Sequence, residues 1–77
     1  MNVALRNPVN RRKLAGAKWT ARKPVNHEKH FLVLDWVWDE DGSPTEEVQI
    51  EAVLTNVIRH VHWRELEDIS RWCIGWR

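Results

Sequence analysis

The chain has 77 residues, six of them Trp, with one Phe and no Tyr, and twelve Lys and Arg against eleven Asp and Glu leave a formal charge of +1. That length allows one domain, burying only about 60% of the surface its unfolded chain exposes, and excludes a cofactor domain beside a substrate domain. The single Cys excludes an intrachain disulfide framework, and apolar runs such as Phe31-Leu32-Val33-Leu34 fall far short of a membrane span. Met1 to Arg6 lacks the apolar stretch of a secretory signal. A soluble, reduced, cytoplasmic domain is the expectation.

The near-neutral total conceals two oppositely charged parts. Residues 1–30 carry eight cationic side chains against Glu28 alone, a balance of +7, and residues 31–77 carry four Arg against ten carboxylates, a balance of −6. Such asymmetry suits a nucleic-acid or acidic partner for the basic part, and it equally suits a basic arm folded back on an acidic body.

Residues 1–10, with Asn2, Asn7, Pro8 and Asn10 and little apolar periodicity, read as a flexible basic N-terminal arm. Arg11 to Ala15 can form one helical turn ended by Gly16. Lys18 to Arg22 alternates briefly and reads as a short strand closed off by Pro24, with Val25 to Lys29 as a connecting loop.

His30 to Trp38 gives the strongest strand signal. A period of two places Leu32, Leu34, Trp36 and Trp38 on one face and Phe31, Val33, Asp35 and Val37 on the other, so both faces are covered for much of its length. Asp41-Gly42 with Pro44 marks a turn, because Gly tolerates positive φ. Glu46 to Thr55 alternates again as a half-buried strand, and Val57 to Arg64 follows as a third long strand after Asn56. Leu66, Ile69 and Trp72 then stand three apart, the spacing of a helical turn, and Cys73 to Arg77 is an apolar end expected to dock.

This order predicts a single mainly-β domain over residues 11–77. It is a small antiparallel sheet of one short and three long strands, or a half-open SH3-like or Sm-like barrel, with short helical segments. Trp side chains burying roughly 150–250 Å² each would give so short a chain a core without staples.

Candidate chemistry is sparse. His60 and His62 share a strand face, and with His27, His30 and Cys73 they offer metal-ligand types. Paired His on a solvated face beside the cationic Arg64 is the plainer reading, so no metal site is assigned. Cys73 lies between Trp72 and Ile74, the setting of an inert thiol rather than of a nucleophile. Three scattered Gly make no phosphate loop, and Asp39-Glu40-Asp41 lacks a calcium-loop pattern. No catalytic residue, cofactor or enzymatic activity is expected.

What remains is Trp beside cations: Lys18-Trp19, Trp63-Arg64, Arg71-Trp72 and Trp76-Arg77. Aromatic platforms beside cations hold single-stranded nucleic acid, and Trp and Arg also dominate protein interfaces.

Lys18-Trp19-Thr20, Lys29-His30-Phe31, Glu51-Ala52-Val53, Trp63-Arg64-Glu65-Leu66 and the closing Trp72-x-x-Gly75-Trp76 resemble the small tryptophan-rich conserved hypothetical protein family of bacteria. The resemblance runs from about Arg11 to Arg77, and the closing block is its most specific part. It implies a cytoplasmic bacterial protein of unknown function, some relatives of which are encoded near photolyase or cryptochrome genes. No catalytic residue can be carried over, and Trp36, Trp38 and His60 to His62 lie outside the resembling blocks.

The functional expectation is a non-enzymatic protein-binding or adaptor module, with a single-stranded RNA- or DNA-binding module as the alternative. The expected binding surface comprises Arg11, Arg12, Lys13, Lys18, Arg22, Lys23, Trp36, Trp38 and Arg64. No membrane partner is expected, and the chain should be a monomer or a weak homodimer formed through an edge strand.

Overall fold

The computed structural model describes residues 5–77. A first 3-10 turn (Arg11–Lys13) precedes β1 (Lys18–Val25), β2 (Glu28–Trp38), β3 (Pro44–Ala52) and β4 (Ile58–His62). A second 3-10 turn (Trp63–Glu67) then leads to β5 (Trp72–Ile74). All pairings are antiparallel, in the order β4-β3-β2-β1-β5. The sheet is open, with β4 and β5 as its two edges, and the protein is mainly β as its alternation predicts.

Local chemistry explains each hairpin. Asn26 and His27 both take positive φ, 57° and 63°, so β1 and β2 are joined by a two-residue loop whose twist matches that of the strands. Between β2 and β3, Gly42 sits at φ +84°, and Asp39 Oδ1 accepts from the backbone N–H groups of Asp41 and Ser43. Asn56, at φ 62°, turns the chain from β3 into β4 and donates its N–H to Ala52 O at 2.7 Å.

Register places the core. Trp19 pairs with Phe31 and Phe31 with Ala52, while Val33 pairs with Ile50, so one face of the sheet is continuously apolar. The second 3-10 turn crosses this face and contributes Trp63 and fully buried Leu66, with Leu14 and Trp72 completing the cluster. The Trp72 and Phe31 rings meet edge to face at 5.2 Å, a geometry worth about 0.5–1.5 kcal/mol beyond the area it buries.

Several details depart from the linear reading. The step from Val33↔Ile50 to Asp35↔Gln49 advances two residues on β2 for one on β3, a bulge. Trp36 therefore pairs with Val48 and packs against the core with Val33 and Phe31, not with Leu32 and Leu34. Pro24 does not end β1; it lies where the β1–β2 register slips between Thr20 and Val25, a place that needs no donor. The expected loop from Val25 to Lys29 is mostly strand. The helical spacing after Trp63 resolves into a 3-10 turn followed by a three-residue strand, so there are five strands rather than four.

Of the arm expected over residues 1–10, residues 1–4 lie outside the described residues. The rest is tied down at Asn7, which is only 8% exposed. Its Nδ2 donates to Leu66 O and Trp72 O, each at 2.9 Å, and its backbone N–H donates to Glu67 O at 2.9 Å. At Asn7 the arm is therefore anchored rather than flexible, because one buried amide satisfies carbonyls that no strand reaches.

Candidate functional site

The core-facing side of the sheet, from β4 across to β1 and bounded by the segment from the second 3-10 turn to Trp72, holds a cavity of about 330 Å³. Its floor is apolar, formed by Phe31, Ile50, Val61 and Trp72. Its rim is charged. Glu28, only 5% exposed, accepts from Arg59 Nη2 at 2.6 Å and from Thr55 Oγ1 at 2.7 Å. Arg71 Nη1 lies 2.9 Å from Glu65 Oε1. Lys23 completes the rim and has no carboxylate partner among the described residues. The rim thus presents three cations against two paired carboxylates, beside the edge of β4 that no strand among the described residues pairs with.

A second cluster ties the first 3-10 turn to the body. The Arg11 guanidinium lies 5.1 Å from the Trp63 ring centroid and 5.5 Å from that of Trp36, and Arg64 lies 4.6 Å from Trp63. Glu46 accepts from Trp63 Nε1 and stands 3.6 Å from Arg11. Cation–π contacts at partly exposed sites contribute about 0.5–1 kcal/mol each, so this cluster acts chiefly as a clamp within the molecule.

The outer face of the sheet carries the chain's last residues. Thr20 Oγ1 donates to Gly75 O at 2.6 Å and accepts from the Arg77 N–H at 3.0 Å. Trp76 donates its indole N–H to Phe31 O at 3.0 Å, and Lys18 Nζ stands 4.8 Å from its ring centroid. Beside this tail lies a shallow depression of about 690 Å³ lined by Arg22, Lys29, Arg77, Cys73, Thr20 and Pro24.

Residues 17–77 match the family model described as Tryptophan-rich protein (DUF2389). The chain belongs to this tryptophan-rich family. No curated protein and no solved structure matches it. All six Trp of this family member fall within the matched residues, whereas the first 3-10 turn with Arg11 lies before them.

The structure distributes the Trp residues between two tasks. Trp19, Trp63 and Trp72 are buried and Trp36 is half-buried, while Trp38 and Trp76 are 54% and 44% exposed. Trp38 stands at the end of β2, its indole N–H directed at Asp35 Oδ2 at 3.4 Å. Among the expected surface residues, Arg11, Trp36 and Arg64 come together around Trp63. Lys23 lies at the cavity rim, Lys18 and Arg22 on the outer face, and Arg12 and Lys13 on the exposed first 3-10 turn. They do not form one patch, because β1 sends alternate side chains to opposite faces.

Of the rim residues, Arg71 stands in one of the Trp–cation pairs of the sequence, whereas Glu28 and Arg59 are absent from its expected binding surface. The one available signal for these two is Glu28 itself, the lone carboxylate among eight cations at the head of an apolar strand. His60 and His62 lie on β4 and Cys73 on β5, at opposite edges of the sheet. Among the described residues no three His, Cys, Asp or Glu side chains gather where an ion could be held. No helix among them is long and apolar enough to cross a membrane.

Proposed function

We propose that this tryptophan-rich domain is a non-enzymatic protein-binding module whose open side receives an extended segment of a partner protein. The observation that carries the reading is the cavity on the core-facing side of the sheet beside β4. It has an apolar floor, a cationic excess on its rim, and an edge strand alongside with one row of backbone groups that no strand among the described residues pairs with. An extended segment can add to such an edge through main-chain hydrogen bonds while its side chains enter the pocket. The floor of Phe31, Ile50, Val61 and Trp72 suits one apolar anchor, and Lys23, Arg59 and Arg71 suit a neighbouring carboxylate. A cytoplasmic setting is consistent with Cys73 being a free thiol.

The test is selection of a random displayed-peptide library on the immobilised protein. Enriched sequences should share an apolar residue flanked by Asp or Glu, and the double variant Lys23→Glu with Arg71→Glu should abolish their binding. Backbone amide shifts on titrating a selected peptide should concentrate on β4 and around Phe31 and Trp72. Enrichment of basic or purely apolar peptides, or shifts centred elsewhere, would overturn the reading.

A further inference from the structure

Four arginines of this protein have carboxylate partners. Arg11, Arg59, Arg64 and Arg71 each face a glutamate, respectively Glu46, Glu28, Glu67 and Glu65. Lys18, Arg22, Lys29 and Arg77 have no carboxylate partner among the described residues, and all four lie where β1, β2 and the chain's last residues meet on or beside the outer face. No Asp or Glu lines the depression that holds Arg22, Lys29 and Arg77. The acidic side chains of this face stand on strands beyond β1. Asp35 on β2 pairs with Gln49, and Glu47 and Glu51 on β3 pair with His62 and Ile58, Glu51 also lying in register with Leu32, the cross-strand partner of Lys18.

An exposed aromatic borders the free cations. Trp76 is held by its bond to Phe31 O and backed by the Lys18 ammonium, yet 44% of it remains exposed. The N–H that such a ring could offer a ligand is already used, which leaves its apolar surface as the available feature. Thr20, Cys73 and Pro24 complete a shallow, wide surface rather than an enclosed pocket. Lys18 and Arg22 are four positions apart on one strand, a span of roughly 13 Å, which is too long for one phosphate ion to bridge.

From these features we infer that the outer face of β1 and β5 is a second binding site, for single-stranded nucleic acid. Lys18, Arg22, Lys29 and Arg77 take the phosphodiester backbone, and Trp76 takes one base. Of the residues lining the two sites only Ala21 is shared; Trp72 lines the cavity alone, and Thr20 and Cys73 line the outer depression alone.

The experiment is fluorescence anisotropy of labelled oligo-dT and oligo-U of about twelve nucleotides, with a duplex of equal length and inorganic phosphate as competitors. Neutralising three to four phosphates predicts a log–log salt dependence of about −2 to −3. Arg22→Gln and Lys29→Gln, both on exposed side chains, should each reduce that slope by about 0.7. Trp76→Ala should weaken binding roughly fivefold to a hundredfold, with Trp76→Phe restoring most of it.

Thermal melts of each variant separate lost binding from lost folding. Lys23→Glu with Arg71→Glu should leave oligonucleotide binding in place, so that failure of either site is read independently. The inference is overturned by absence of binding at low salt, by binding indifferent to Arg22 and Lys29, by equal or tighter binding of the duplex, or by full competition from millimolar phosphate.

Discussion

Glu28 shows how one side chain positions a charged rim. Its carboxylate is buried, but Arg59 keeps 52% of its side chain exposed, so their ion pair is partly screened. Glu28→Gln should retain the Thr55 bond and cost only about 1 kcal/mol in urea denaturation, because Arg59 can return to water. A loss above roughly 3 kcal/mol would mean that the guanidinium is stranded.

At Asp68 the carboxyl is held below its ordinary range, first by the Ser70 hydroxyl and then by the Ser70 N–H, at 2.6 and 2.9 Å from Oδ1. A folded-state value below the unfolded one stabilises the protein above the ordinary aspartate range. That contribution is lost as pH falls through the lowered value. An NMR titration should find the Asp68 midpoint below that of an unstructured aspartate, and Ser70→Ala should move it back up.

The elements differ in how openly the sequence displays them. β2, β3 and β4 were legible because each alternates for several residues, and their order along the chain supplies the hairpins. β5 was not, since three residues carry no period and its pairing with β1 is set by what the second 3-10 turn delivers. The β2 bulge was hidden for a different reason. An extra residue reverses facing without changing composition, so Trp36 looked like a partner of Leu34 and proved a partner of Val48. The turn at Asn26-His27 lacks the usual Gly, and His27 occupies φ 63° at a cost in backbone energy. His27→Gly should therefore raise stability by about 0.5–1 kcal/mol, seen as a higher urea midpoint with an unchanged slope. The cavity rim was the least legible part, because Glu28, Arg59 and Arg71 come from three distant segments.

For the molecule as a whole, the Trp distribution makes a simple optical prediction. Acrylamide should quench the emission of Trp38 and Trp76 readily, leaving a protected fraction from Trp19, Trp63 and Trp72. Replacing Trp38 and Trp76 by Phe should remove most of the quenchable signal while leaving the fold intact and half-buried Trp36 partly quenchable, and persistence of the full signal would mean that the core is open. The protected fraction also bears on cohesion. Trp72 touches Phe31, forms part of the cavity floor and belongs to the shortest strand, so Trp72→Ala should cost about 3–5 kcal/mol. A small domain has little more than that in total, and the variant should melt near or below room temperature in calorimetry.

The Asn7 amide joins positions 59 and 65 residues away, at Leu66 and Trp72. Three hairpins can assemble from local contacts, but this clasp must wait until Trp72 is present and the second 3-10 turn is in place. It should therefore be absent at the folding barrier and act as a latch on the way out. In stopped-flow experiments Asn7→Ala should hasten unfolding and leave the refolding rate almost untouched. During synthesis, a chain still missing β5 would be a set of paired hairpins with Asn7 unfastened, and the clasp could close only once Trp72 had emerged.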